Sequence, residues 1–250
     1  HDSSILKTHW FAKKLYENYT DHLIVVSNYQ ISQINNSSIR NKTSVIHNGV
    51  DLSFYQPMKK SSKLLKHYKI NDSDIVFVSV AGTALHKGWP LLIQALSRLE
   101  SSQVEKFKII IAGNMPPASD IKDYVTKYNL DNNVIFPGFI NDVRELISIA
   151  DFGFVLSTRV ETISFACREM MAMGVPVLVS DFAGLPENIN HGKDGWIMKK
   201  NSIDDIEFFL SSLKYSNHSK HSEFAYQKAK NKFSLELFIN KTLKVYSSLR

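Results

Sequence analysis

The stretch DFGFVLSTRVETISFACREMMAMGVPVLVSDFAGLPENINHGKDG, residues 151–195, decides how the rest of the chain is read. It opens on an apolar run, 152–157, passes through a polar turn to Glu161, and continues through Phe165, Ala166, Glu169, Met170 and Met173 at helical spacing. Thr162 or Ser164 suits the helix cap, and Gly174 with Pro176 ends the helix. A second apolar run, 175–180, follows. Two nearly all-apolar strands joined by a helix are expected of a parallel sheet covered on both faces.

The same alternation extends in both directions. Further strands are predicted at 23–27, 44–47, 75–81, 108–112 and 133–137, and helices at 89–99, 142–149, 204–213, 222–232 and 234–249. The expected architecture is α/β, with a complete doubly wound parallel domain over residues 51–233. Residues 1–50 supply an incomplete unit of helix, strand, helix and strand, and 234–250 form a terminal helix.

With 250 residues, 44% hydrophobic and 22% charged, the composition is that of an ordinary globular protein. The single cysteine, Cys167, excludes an intramolecular disulfide framework and a multi-cysteine metal site, so a reducing, cytoplasmic compartment is expected. No apolar run approaches the roughly 18 to 20 residues needed to span a bilayer. The net charge of +6 favours anionic partners, either nucleotide phosphates or an acidic membrane face approached peripherally. Nucleic acid is not expected, because the basic residues are dispersed and the aromatics between them have core spacing.

Candidate chemistry gathers where strands end and helices begin. GTALHKG, residues 82–88, joins an apolar strand to a helix. A lysine at a helix mouth, Lys87, suits phosphate, although a solvated loop lysine has the same local pattern. Glu161 is either a ligand-facing acid or a helix-terminal acid favoured by the dipole. Glu169, inside an apolar helix, is costly unless exposed, paired or hydrogen-bonded, and Arg168 beside it is one possible partner. Two carboxylates eight positions apart would lie about 12 Å apart if both were helical. That separation suits the two ends of a nucleotide-sugar better than a glycosidase pair flanking one bond. Phe139 and Ile140 follow another strand, either over a base or in a structural turn. His191 and Asp194 are too weakly patterned for metal ligands, and no metal site is expected.

Taken together, HNGVD at 47–51, Lys87-Gly88, the Glu161/Glu169 spacing, AMGVPVLVSDFAGLPENI from Ala172 and HGKDGWIM from His191 resemble the donor-binding half of retaining GT-B glycosyltransferases of family 4. The resemblance implies two Rossmann-like domains, a nucleotide-diphospho-sugar donor, no other cofactor, and a glycan or lipid-linked acceptor. It assigns Lys87 to the diphosphate, Glu161 to the transferred sugar and Glu169 to the ribose. Gly82 and Thr83 would face the diphosphate, the backbone of Ile163, Ser164 and Phe165 would meet phosphate, and Phe139 and Ile140 would lie near the base. It also places His1-Asp2 late in a truncated N-terminal domain, with His1 on the acceptor side, most of that domain being absent or supplied by a partner chain. Two departures stand out. Thr83 occupies a position where many relatives carry Arg, and Glu161-Thr162-Ile163-Ser164 replaces a Glu-Gly-Phe-Gly-like run. The alternatives are a donor-binding domain without activity of its own and a nucleotide-sugar epimerase.

Overall fold

A computed structural model describes residues 10–114, 124–213 and 219–249, with side chains from residue 14 onward. Two short strands, β1 (Leu23–Val25) and β2 (Thr43–Val45), form a separate parallel pair. The main sheet contains β3 (Ile75–Ser79), β4 (Phe107–Ala112), β5 (Val134–Gly138), β6 (Phe152–Val155), β7 (Val177–Ser180) and β8 (Gly195–Met198). Its order is β5-β4-β3-β6-β7-β8, with every neighbouring pair parallel.

Strand periodicity explains the two-sided core. Successive side chains alternate between faces, so Val76, Val78, Ile110, Val155, Val177 and Val179 enter one cluster. There they meet Cys167, Met170 and Met171 of the Phe165–Ala172 helix and Ala225 and Ala229 of the Ser219–Lys232 helix. Phe77, Ile109, Phe152, Phe154 and Leu178 face the other way, toward Trp89, Leu92 and Leu96. Phe77 and Phe152 stack there with ring centroids 5.0 Å apart. Pro137 lies in β5, an outer strand, where the pairing with β4 shifts register between Ile110 and Ala112.

Beyond β2 the chain is fastened to its C-terminal segment. The Val50 N–H donates to the Phe233 carbonyl (2.7 Å) and the Leu235 N–H to the Val50 carbonyl (2.9 Å), pairing Val50 with Ser234 as an isolated bridge. The last helix, Leu235–Ser248, begins there. Among the described residues, no helix is long and apolar enough to cross a membrane.

Seven strands lie where the apolar runs predict them. The eighth, β8, was not anticipated. It is only four residues long, sits at the sheet edge, and buries its ends while Trp196 and Ile197 are half-covered. The turn before it is fastened by side chains: Asp194 accepts from the Asn190 N–H (2.7 Å), and His191 Nδ1 accepts from the Ile197 N–H (3.1 Å).

Candidate functional site

The strand order reverses direction between β3 and β6, because the chain winds outward to β5 on one side and to β8 on the other. In open parallel sheets such a switch point leaves a crevice at the carboxyl ends of the strands, between loops that diverge. The loop after β3 carries Gly82, Thr83 and Lys87; the loop after β6 carries Glu161 through Ser164. The sequence-predicted candidates from these two loops therefore flank one crevice.

Backbone geometry holds the two loops together. Gly88 has φ +80° and caps the Trp89–Leu96 helix, and a Cβ there would stand 1.9 Å from the Leu156 carbonyl oxygen. The Thr158 N–H donates to the His86 carbonyl (2.8 Å), so His86 joins the loops through its backbone. Thr83 is buried; its hydroxyl donates to the Asn114 carbonyl, and its own carbonyl accepts from Trp89 Nε1 (2.8 Å). A Cβ on Gly113 would lie 2.7 Å from Gly82 Cα, which is how closely the loops after β3 and β4 approach. A cavity of about 280 Å³ opens between them, lined by Gly82, Gly113, Asn114, Phe139, Ile140 and Val143 among others. Gly82, Phe139 and Ile140 are thus brought into one recess.

Lys87 and Glu161 form an ion pair, with Nζ 3.2 Å from Oε2. The carboxylate is held on both oxygens. The Ser157 hydroxyl also donates to Oε2 (3.1 Å), and the Thr162 N–H donates to Oε1 (3.2 Å). Ser157 is itself fully buried, and its carbonyl accepts from the Ser180 hydroxyl (2.6 Å). Glu161 thus has a fixed orientation, with lone-pair capacity remaining on Oε1 for a further donor.

Glu161 is not the last residue before the helix. Three more loop residues follow, and the helix begins at Phe165, because Ser164 rather than Thr162 is the cap: its hydroxyl accepts from the Cys167 N–H (3.3 Å). Helix geometry leaves the Phe165 and Ala166 N–H groups pointing out of the first turn, available to an anion. Ile163 turns its side chain into the core and contributes backbone alone. Val160, a β-branched residue at φ +35°, carries backbone strain of the kind that concentrates in functional loops. Leu85, Phe139, Val160 and Phe165 leave large apolar side chains exposed on the loops at this end.

Glu169 lies about 6 Å along the helix axis from Phe165. It does not pair with Arg168, which is fully buried and points elsewhere. Burial pushes the Glu169 carboxyl above its usual range, and the nearby Tyr55 hydroxyl partly offsets this. Burial and the adjacent Glu169 charge push the Tyr55 phenol up to about 12. Tyr55 escaped the sequence reading, because it sits in the crossover after HNGVD, remote from both candidate loops. Glu187 accepts from the Asn28 N–H, Asn28 Nδ2 and the Tyr29 N–H, each at 2.8 Å. His1 lies outside the described residues.

A family model described as Glycosyl transferases group 1 matches residues 60–231. N-acetyl-alpha-D-glucosaminyl L-malate synthase of Bacillus anthracis is 26% identical over 179 residues, which is 71% of this chain and 46% of that protein. The Escherichia coli UDP-Gal:alpha-D-GlcNAc-diphosphoundecaprenol alpha-1,3-galactosyltransferase is 27% identical over 176 residues, 69% and 44% of the two chains. The chain thus spans about half the length of these curated relatives. The crystal structure of Anabaena Alr3699/HepE in complex with UDP superimposes with a TM-score of 0.86 at 21% identity, covering 99% of this chain and 68% of that one. The shared fold is that of GT-B glycosyltransferases. A family match across most of the chain establishes that this protein belongs to the glycosyl transferases group 1 family.

Proposed function

We propose that this chain carries the donor site of a retaining glycosyltransferase of family 4, which moves a hexosyl unit from a nucleotide-diphospho-sugar to a hydroxyl of a glycan or lipid-linked acceptor. The observation that carries the reading is the convergence of Lys87, Glu161 and the start of the Phe165–Ala172 helix on the β3/β6 switch point. A nucleotide-sugar as ligand class is supported by the HepE structures, one holding UDP and another UDP-glucose.

On this reading the diphosphate lies against Lys87 and the Phe165 and Ala166 N–H groups, which stabilise the charge that develops as the glycosidic bond to phosphate breaks. Donor binding separates Lys87 from Glu161, freeing the ammonium for phosphate while Ser157 and Thr162 keep the carboxylate aimed at sugar hydroxyls. Glu169 takes the ribose, and Phe139 and Ile140 border the base. The acceptor hydroxyl attacks from the side of the leaving phosphate and passes its proton to a donor phosphate oxygen, so the anomeric configuration is kept. The exposed apolar rim of Leu85, Val160 and Phe165 supports an acceptor with an apolar portion. The net charge supports peripheral attachment to an anionic membrane.

Product analysis tests this. Incubation with a nucleotide-sugar and candidate acceptors should yield a glycoside with the donor's anomeric configuration, and Lys87→Ala or Glu161→Ala should slow its formation by more than about tenfold. An inverted product refutes retention, and an epimerised nucleotide-sugar formed without acceptor refutes transfer.

A further inference from the structure

Arg168 is the least expected residue of the donor helix. Its side chain is fully buried, one position before Glu169, and its guanidinium reaches three separate segments. Nη1 donates to the Asn48 carbonyl (2.6 Å), Nε donates to Asn188 Oδ1 (2.8 Å), and the guanidinium carbon lies 4.1 Å from the centre of the Phe233 ring. The Asn188 amide is oriented in turn by its donation to the Leu185 carbonyl (3.0 Å). Asn48 lies two residues before Val50 and Phe233 one before Ser234, the two residues that form the isolated bridge. His47, beside Asn48, packs edge-on against the same Phe233 ring at 5.9 Å.

This residue is costly to bury. Nη2 is buried without a hydrogen-bond partner, alone among side-chain polar atoms of the described residues. Leaving such a donor unsatisfied is costly, and an apolar side chain of similar volume in such a place is often neutral or stabilising. Burial draws the guanidinium down to about 10, which still leaves it charged at neutral pH. What a planar fork provides and an apolar chain does not is a fixed angle between the donor helix and both bridged segments.

We propose that Arg168 is the positioning residue through which the two bridged segments set the orientation of the donor helix, so that a nucleotide bound at that helix tightens the Val50–Ser234 bridge. The second half rests on the donor-site reading above; the first does not. Coupling of this kind is reciprocal, so loosening the bridge weakens nucleotide binding in the same proportion as binding tightens the bridge.

The test is amide hydrogen exchange on the wild type, Arg168→Met and Arg168→Lys, without ligand and with saturating UDP or GDP. Without nucleotide, Arg168→Met should speed exchange of the Val50 and Leu235 amides by about tenfold or more, leaving Val78 and Ile110 at the sheet centre unchanged. Lys, with charge but no fork, should behave like Met. With nucleotide, the wild type should slow exchange at Val50 and Leu235, whereas Arg168→Met should bind more weakly and show no slowing. Unchanged exchange at both amides in the ligand-free variant, or a uniform increase across the core, overturns the positioning role. If neither nucleotide binds the wild type, the donor reading for these bases fails, and the ligand-free comparison still decides the role of Arg168. Asn188→Ala, which removes the Nε partner, gives the same readout if Arg168→Met does not fold.

Discussion

Replacing Glu187 by Gln perturbs the contact between the small N-terminal unit and the main sheet, and its size follows from the hydrogen bonds. Burial alone would raise the Glu187 carboxyl; the bond from His47, the Asn28 and Tyr29 N–H groups and Asn28 Nδ2 outweigh this and draw it down from 4.5 to about 2. A displacement of that size corresponds to roughly 3 kcal/mol at full strength. The side chain is 17% exposed, so screening reduces the expected contribution to about 2 kcal/mol. A depressed carboxyl stabilises the fold above its ordinary titration range, and that stabilisation is lost as pH falls from 4.5 toward 2. Glu187→Gln should therefore unfold about 2 kcal/mol more easily than wild type at pH 7, with the difference shrinking below pH 4.5 and nearly gone at about pH 2. Urea titrations of both proteins across this range measure it. A difference that stays constant with pH, or none at pH 7, refutes the reasoning.

Two further substitutions probe the site. Tyr55→Phe removes the hydroxyl that holds the Glu169 carboxyl down against burial, so Glu169 should titrate higher still. Nucleotide affinity should then fall at a higher pH than in wild type as the solution is acidified, and coincident binding profiles would exclude Tyr55 from the site. Gly88→Ala places a Cβ 1.9 Å from the Leu156 carbonyl at φ +80°, and should destabilise the protein by more than about 3 kcal/mol in thermal unfolding. A near-wild-type melting temperature would show that the two loops separate easily.

The sheet was legible because its strands are buried on both faces: 75–81, 108–112 and 152–157 are apolar almost throughout, and Gly82 and Gly113 mark the ends of the first two. β8 lacks that signature because it is a short edge strand whose covering is supplied by side chains distant in sequence. The lysine and carboxylates were legible as residue types at loop and helix positions, but not their pairing. That Glu161 bonds Lys87, Ser157 and Thr162 depends on loops brought together across β3 and β6. Arg168 reads locally as a surface partner for Glu169, yet the helix turns it inward to Asn48, 120 positions earlier. Tyr55 and Glu187 act through partners more than a hundred residues away, and no local pattern encodes such contacts.

The central claim is that the β3/β6 crevice binds a nucleotide-diphospho-sugar through Lys87 and Glu169. Ligand-observed NMR against a panel of nucleotide-sugars tests it most directly, and does so whether or not an acceptor is known. The account predicts saturable binding of at least one nucleotide-sugar, weakened about tenfold or more by Lys87→Ala and by Glu169→Ala in folded protein. Absence of binding across the panel, or unchanged affinity in both variants, would contradict it.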